Sequence, residues 1–350
     1  MNKIPNPDLK WERTGQFDIG LDLGLFNNRL RITTDYYKKK TTDLLYSVAV
    51  PATSGYQTML KNIGSIENQG YELSIESDNL TGAFSWTTAF NIAFNRNKVL
   101  ELGGEEYKEM AEGDGHLKTG SVRRLIVGEP IGVFYGYRFD GIFQNEEECK
   151  QQTSSASPIG VGLRRYKDLN GDGKVDAAND REILGDANPK FFGGLTNTFA
   201  YKGFELNVFL QYSYGNKILN YNAMELENPT GGQNAYADMV NRWTPENPSN
   251  IYPKATTNRA LLVSDRFIED GSYLKLKTLS LSYSFPKINL KHIQGLRLYV
   301  TGQNLLTWTK YRGYDPEVSY RGASTLEAGE DFGGYPQSRT FMFGIKLDIK

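Results

Sequence analysis

The sequence is poor in the residues that most often hold disulfides and zinc ions. It has one cysteine, Cys149, and two histidines, His116 and His292, among 350 residues. A single cysteine cannot form a disulfide within the chain, and this set is too small for a zinc site of Cys and His ligands. It also offers no convincing Ser, His and Asp triad. Cys149 is best interpreted as a free thiol in a polar loop.

Net charge and long apolar runs are lacking as well. The 40 basic and 41 acidic side chains leave a net charge of -1, so we expect no nucleic-acid partner. No apolar run approaches the roughly 18 residues of a membrane helix, although a membrane β-barrel escapes that test because only alternate residues face lipid. Residues 1–12 lack the pattern of a signal peptide. We therefore expect either a cytoplasmic protein or a chain that has lost its beginning.

Aromatic residues and glycine, by contrast, are abundant. The chain has 22 Tyr, 18 Phe and 36 Gly, a mixture typical of strands and turns. Apolar and polar residues alternate in segment after segment, which is the signature of a strand with two different faces. Nine such strands can be counted. The alternating apolar residues that mark them lie within 17–25, 30–36, 71–75, 84–94, 195–201, 204–214, 279–285, 296–300 and 341–349, and the strands extend beyond these stripes.

The lengths of the strands and of their connections favour a membrane wall. Most strands run to about 11 to 13 residues, which at a tilt near 40° span roughly 28 Å, the thickness of a bilayer core. Tight turns alternate with long connections, as in outer-membrane barrels. The long connections cover residues 40–66, 97–190, 216–270 and 306–337.

One further segment, residues 131–143, also has the pattern of a strand. Counting it as a membrane strand would put the tight Lys202-Gly203 turn on the side of the long loops. We therefore predict that it lies outside the membrane, within a large extracellular excursion formed by residues 97–190.

Eight stretches of sequence carry a family signal. They are NPDLKWE at 6–12, RLRITTDYYKKKTTDLL at 29–45, NIGSIENQGYELSI at 62–75, GVFYGYRFDGIFQ at 132–144, DLNGDGKVD at 168–176, NPKFFGGLTNTF at 188–199, TGQNLLTWTKYRGYDPE at 301–317 and YPQSRTFMFGIKL at 335–347. In this order they resemble the C-terminal half of the SusC/RagA family of TonB-linked outer-membrane proteins, and the resemblance covers essentially the whole chain.

This resemblance implies an all-β fold, an antiparallel transmembrane β-barrel that is incomplete in this chain. The family barrel has about 22 strands and a plugged lumen, so roughly 13 strands would be missing, with the signal peptide and the plug domain. It also implies TonB and a SusD-like surface lipoprotein as partners, and an oligosaccharide or peptide as substrate. The isolated sheet would have two open edges and should not transport alone. At the C-terminus, Ile349 and Lys350 replace the aromatic residue with which the family usually ends.

The sharpest local motif resembles the start of an EF-hand calcium loop. Asp168, Asn170 and Asp172 are spaced two residues apart and precede Gly173, which permits a sharp turn. The loop 168–180 could therefore hold a structural Ca²⁺, or it could form ordinary turns without metal. The further ligands would be the Lys174 carbonyl, Asp176 and Asp180, with Asn179 rather than Glu at the twelfth position.

Aromatic residues in the long loops are candidates for ligand binding. Flat rings beside polar groups suit sugars and peptides, and loop packing is the competing interpretation. Trp308 and Tyr311 follow a strand directly and are predicted to join an aromatic girdle at the membrane interface. The candidate ligand-binding residues are Tyr236, Trp243, Tyr252 and Tyr314.

We therefore predict part of an outer-membrane nutrient importer, with outward apolar stripes against lipid, and not an enzyme. One alternative is a secreted soluble β-protein that binds carbohydrate, which predicts strands of about 6 residues and short loops on both sides. A second alternative is a surface glycoside hydrolase, which requires two carboxylates about 5 to 9.5 Å apart in a cleft.

Overall fold

The computed structural model describes residues 3–110, 117, 119–228, 234–257, 261–285, 293–320, 322 and 326–349. His116, His292 and Lys350 lie outside the described residues. The main element is a nine-stranded antiparallel sheet, in which each strand pairs with the strands before and after it in sequence. The strands are β1 (Arg13–Leu25), β2 (Leu30–Thr42), β3 (Ser65–Thr81), β4 (Phe84–Glu101), β5 (Phe191–Tyr201), β6 (Phe204–Tyr214), β7 (Tyr273–Ser284), β8 (Ile293–Thr309) and β9 (Thr340–Ile349).

All nine predicted strands are present, and the predicted fold class is confirmed. The strands have 10 to 18 residues, which contradicts the short strands of the soluble alternative. We call these nine strands the wall. Within the described residues, β1 and β9 each have one neighbour in the wall, so the sheet is open at both edges as predicted.

The tight turns follow from residues that tolerate positive φ. Phe26, Asn27 and Asn28 have φ values of 53°, 58° and 63° between β1 and β2. Lys202 and Gly203, at 45° and 88°, form the two-residue turn between β5 and β6. Positive φ at both central positions matches the right-handed twist of the flanking strands.

The register of the wall sorts its side chains onto two faces. A row of directly opposed apolar residues crosses seven strands on one face, and the next row, on the other face, is polar from β3 to β8. The apolar row is Leu80, Trp86, Phe199, Leu206, Leu281, Val300 and Phe343. The polar row is Asp78, Thr87, Thr198, Asn207, Ser280 and Thr301.

The buried core lies in the long connections rather than in the wall. We call residues 102–190, 215–272 and 310–339 the cap. Among the described residues, Val99 is the one buried apolar side chain that belongs to a wall strand. The main cap core consists of Leu117, Val122, Phe134, Leu219, Tyr221, Ala223, Met224, Leu261, Val263 and Phe267.

The cap is built from short elements. Lys217–Asn220 pairs with Ile268–Asp270 and with Glu330–Asp331, and so joins the third and fourth long connections. The other strand pairs are Tyr107–Glu109 with Arg124–Ile126, Val133–Gly136 with Glu182–Asp186, Phe139–Ile142 with Arg164–Tyr166, and Thr153–Ser154 with Lys174–Val175. The helices are α1 (Glu146–Lys150), α2 (Tyr221–Leu226) and the 3₁₀ turns Ala237–Asn241 and Asp265–Phe267.

Two remaining segments complete the fold. Between β2 and β3, Leu45–Ala49 pairs with Thr58–Asn62, which also pairs with Lys3–Ile4, and Ala52–Ser54 forms a 3₁₀ turn. Residues 131–143 lie outside the nine-stranded sheet, in two small cap sheets. Their extracellular location stays a prediction. In the described part of the chain, no helix has the length and apolar character needed to cross a membrane.

Candidate functional site

Two aromatic belts frame the apolar face of the wall. The ring centroids of neighbouring members are 4.5 to 6.4 Å apart. From Phe191 to Tyr201 along β5, the rise per residue and a tilt near 40° give a separation of about 25 Å between the belts, the height of a lipid-facing band. The turn-side belt is Phe84, Trp86, Phe199, Tyr201, Phe204, Tyr283 and Phe285, and the loop-side belt is Phe94, Phe191, Tyr212, Tyr214 and Trp308.

The girdle prediction is confirmed for Trp308 and wrong for Tyr311. Trp308 is exposed and lies beside Leu274 and Tyr212 at the loop-side belt. Tyr311 turns into the cap instead, where it is 5% exposed. Its hydroxyl donates to Asp331 at 2.5 Å, and burial together with this carboxylate raises the pKa of Tyr311. The hydrogen bond with Asp331 accounts for the position of Tyr311 inside the cap.

Polar groups on the apolar face bond to each other. Both the Trp86 indole, at 2.9 Å, and the Thr88 hydroxyl, at 2.7 Å, donate to Asn197 Oδ1. Asn79 Nδ2 donates to the Thr88 hydroxyl at 2.8 Å and Asn79 Oδ1 accepts from Ser77. Because lipid offers no hydrogen bonds, such groups must satisfy one another within the protein.

Charged side chains pair across strands on the opposite face. This pattern suits a face in contact with water, where exposed ion pairs contribute little energy but keep the surface polar. The pairs are Arg31–Glu76 at 3.0 Å and Arg297–Glu205 at 2.6 Å.

The fourth long connection, residues 306–337, is attached to this wall by a buried ion cluster. Lys275 on β7, 1% exposed, lies 2.6 Å from Asp315 and also pairs with Glu317. Lys277 binds Glu317 at 2.9 Å. Burial acts to raise the pKa of both acids, but hydrogen bonds from the lysines, and for Asp315 from backbone amides, outweigh it and leave each pKa below its ordinary value. Both acids therefore stay ionised.

Sequence reasoning missed these anchoring residues, although the signal was present. Asp315 and Glu317 belong to the YRGYDPE stretch at 311–317 that carries part of the family resemblance. Their partners Lys275 and Lys277 lie about 40 residues earlier. The motif could be recognised, but no sequence pattern named the lysines.

A second ion cluster holds the cap together. Glu227, 1% exposed, accepts from Arg312 at 2.7 Å and from Arg266 at 2.5 Å, and Arg312 also binds Glu269 at 2.8 Å. The cap also contains the pair of Arg123 and Glu330, 2.8 Å apart and fully buried. Sequence reasoning missed these residues as well.

Two of the four predicted ligand-binding aromatics lie beside this second cluster. Tyr236 packs against the cap core and lies within electrostatic range of Arg312. The Tyr252 ring lies 5.1 Å from the Arg266 guanidinium, and its hydroxyl donates to Asp238. Trp243 donates from its indole to Gln144 at 3.1 Å. Tyr314 is 80% exposed. Ligand binding by these residues stays a prediction.

The predicted calcium loop is closed by its own hydrogen bonds. The Asp168 carboxylate accepts from the amides of Gly171 and Gly173, both at 2.7 Å. Fully buried Asp180 accepts from the amides of Leu169 and Asp176. The other predicted ligands also make local bonds: Asn170 Nδ2 to Asp172, the Lys174 amide to Asp172, and Lys174 Nζ to Asp176.

The carboxylates of this loop are thus bound by donors of the protein itself. Over the described residues, no three Asp, Glu, His or Cys side chains come together as a metal site requires. The hydrogen bond from Lys174 is the first cause that lowers the pKa of Asp176, and that carboxylate faces an ammonium. The calcium site stays a prediction.

Comparisons with known proteins match this architecture. The profile of the family described as TonB dependent receptor-like, beta-barrel, matches residues 2–305. The chain is 41% identical to TonB-dependent receptor P3 of Formosa agariphila, over 99% of this chain and 35% of that protein. It is 30% identical to TonB-dependent receptor SusC of Bacteroides thetaiotaomicron, over 99% and 33%. This chain spans about a third of the length of these relatives.

A solved structure agrees with the sequence relatives. The structure titled RagAB peptide transporter superposes with a TM-score of 0.79 at 27% identity, over 98% of this chain and 36% of that one. A second structure of RagAB, titled as a peptide importer in a closed-closed state, gives 0.77. The chain therefore belongs to the TonB-dependent receptor-like β-barrel family, as its resemblance to SusC/RagA proteins predicted, and its nine strands lie in an outer membrane.

Proposed function

We propose that this chain forms the C-terminal barrel wall and the outer cap of a TonB-dependent importer of glycans or peptides. The observation that carries the proposal is the apolar face of the wall, framed by two aromatic belts about 25 Å apart. That face suits lipid, while the opposite face suits an aqueous lumen. The cap then stands at the side of the long loops, where a substrate would enter.

Partners and substrate follow from the family. TonB would energise the complete receptor, and a SusD-like surface lipoprotein would bind the cap and deliver substrate. A similar solved structure is titled a peptide transporter and supports a peptide substrate. The glycan alternative comes from the resemblance to the SusC/RagA family. We propose that the complete receptor, and not this sheet alone, carries out transport, because the described sheet is open at β1 and β9.

The carboxylates of the cap support transport over catalysis. A general acid at neutral pH needs a carboxyl group with a raised pKa, whereas the pKa values of Asp315 and Glu317 are lowered. Among the described residues, each buried cap carboxylate is bound by a hydrogen-bond donor or a cation of the protein itself. The partners are amides for Asp180, Arg266 and Arg312 for Glu227, Lys275 for Asp315, Arg123 for Glu330 and the Tyr311 hydroxyl for Asp331.

The test is a deletion of the complete receptor gene in its own host. We expect the deletion strain to lose uptake of one substrate class, measured with fluorescently labelled oligosaccharide and peptide pools, and complementation to restore it. A protonophore should abolish uptake in the wild type, because TonB depends on the proton gradient. Purification of the receptor from outer membranes should recover a SusD-like lipoprotein. Unchanged uptake of both pools would overturn the importer, and recovery of the receptor alone would overturn the partner.

A further inference from the structure

The second ion cluster of the cap has more arginines than carboxylates. Glu227 and Glu269 are bound by Arg312, and Glu227 is also bound by Arg266. The third arginine, Arg164, makes no ion pair with a described residue. One of its terminal nitrogens donates to the Glu227 backbone carbonyl at 3.0 Å. The cluster therefore carries one positive charge that no described carboxylate neutralises.

The guanidinium of Arg164 is poorly satisfied for a group in this position. Its Nε is buried and has no hydrogen-bond partner, and its carbon lies 5.7 Å from the centroid of the Phe267 ring. An arginine has five N–H donors and stays charged in proteins. Leaving such donors without acceptors away from water costs free energy. An anion at this place would offset that cost.

Arg164 also lines a pocket of the cap, with a volume of about 40 Å³. Since one water needs at least about 10 to 15 Å³, this space admits a few waters or one small functional group, but not a sugar ring. No acidic residue is among the described residues that line it. The other polar ones are Ser157, Tyr166, Asn228 and Thr256.

The Arg164 guanidinium determines which chemical group would fit the pocket. Its planar fork matches the two oxygens of a carboxylate, and such charge-assisted pairs are stronger than neutral hydrogen bonds. Ser157 is half-buried, so the pocket communicates with the surface of the cap. Neutral hydroxyl and amide groups around one cation add hydrogen bonds without competing charge.

We propose that the Arg164 pocket binds a carboxylate group of the imported substrate. The inference rests on the proposed transport function and narrows the substrate to acidic molecules. The carboxylate would come from a uronic acid of a glycan or from a peptide, because both present the same planar group.

The experiment uses the complete receptor purified with its lipoprotein in detergent, and ligand-observed NMR. The charged probes are glucuronate and N-acetylalanine, and their neutral counterparts are glucose and N-acetylalanine amide. We expect at least one charged probe to bind roughly tenfold or more tightly than its neutral counterpart. Arg164→Gln should abolish that difference. Preference for glucuronate assigns the carboxylate to a glycan, and preference for N-acetylalanine assigns it to a peptide.

Two variants control the result. Arg165→Gln changes the neighbouring arginine, which is paired with Asp140 at 2.8 Å and is absent from the pocket lining, and should leave the charge preference intact. Ser157→Phe fills the pocket while keeping Arg164, and should remove the preference even if Arg164→Gln fails to fold. Equal binding of charged and neutral probes by the wild type would overturn the inference. The gene deletion tests the importer separately. If deletion abolishes uptake while charged and neutral probes bind equally, the importer stands and only the carboxylate pocket is overturned. If deletion leaves uptake unchanged, the importer itself is overturned.

Discussion

The wall and the cap place their apolar side chains in opposite ways. Phe204 and Leu281 on inner strands of the wall are 53% and 44% exposed, whereas Phe134 and Phe267 in the cap are fully buried. The cap is therefore stabilised by its own core, as a water-soluble domain is. The wall has its largest apolar surface on the outside, and only lipid can cover that surface. One chain thus folds against two solvents.

Ion pairs show the same contrast, because they are exposed in the wall and buried in the cap. The wall pair of Arg31 and Glu76 is exposed, with 46% and 57% of the side chains accessible. The cap pair of Arg123 and Glu330 is almost inaccessible, at 1% and 2%. Exposed pairs contribute little, but the loss of one partner from a buried pair leaves a charge without compensation.

Arg123→Met should therefore have the largest effect. Arg123 binds Glu330 and also donates to the carbonyls of Gly132 and Ala328, so it connects two segments of the cap. We expect the substitution to destabilise the cap by about 3 to 5 kcal/mol. Hydrogen exchange of the complete receptor in detergent should show cap amides losing protection, while wall amides keep it.

The matched control is Arg31→Met, which breaks the exposed wall pair. Its effect should stay within about 1 kcal/mol. Equal losses for the two variants would mean that burial does not separate the ion pairs of the cap from those of the wall.

A charge on the apolar face of the wall should have the next largest effect. Leu210 lies on β6 between the two belts, and Arg at such a depth costs about 2 to 4 kcal/mol. Leu210→Arg should reduce the heat-modifiable, folded fraction of the complete receptor in outer membranes. Asn207→Arg, on the opposite face of the same strand, should assemble much closer to the wild-type level. Similar assembly of both variants would contradict the assignment of the apolar face to lipid.

The wall could be predicted from sequence because its information is local. Alternation along one strand, as from Phe204 to Tyr214, predicts both the strand and the two faces of its side chains. The dipeptides Asn27-Asn28 and Lys202-Gly203 predict the tight turns at their positions. The family resemblance then supplied the approximate number of strands in the whole barrel.

The cap could not be predicted in the same way because its contacts join distant positions. Arg123 and Glu330 are 207 residues apart, and no local pattern connects them. Tyr311 shows the same limit: its position after a strand suggested a girdle, but Asp331, 20 residues later, accepts its hydroxyl. The candidate ligand-binding aromatics were named from composition, and the structure adds that Tyr236 and Tyr252 lie beside the second ion cluster.

Lowering the pH at the contact between the wall and the long connection 306–337 should have the smallest effect on stability. The pKa values of Asp315 and Glu317 are below their ordinary values of about 4, so the folded state favours the ionised acids. The stabilisation is complete above those ordinary values and is lost as pH falls through the lowered ones. The protection of the amides in residues 313–317, which is the intrinsic exchange rate at each pH divided by the measured rate, should accordingly be high at neutral pH and fall below pH about 4. Lys275→Met should move this loss of protection to higher pH, toward the ordinary carboxyl values, because the ammonium that lowers both pKa values is gone.

The control is Lys38→Met, which removes an exposed lysine from the pair with Glu67 and should leave the transition where it is. Protection at 313–317 that stays constant as the pH falls would show that these ion pairs do not hold the fourth long connection on the wall.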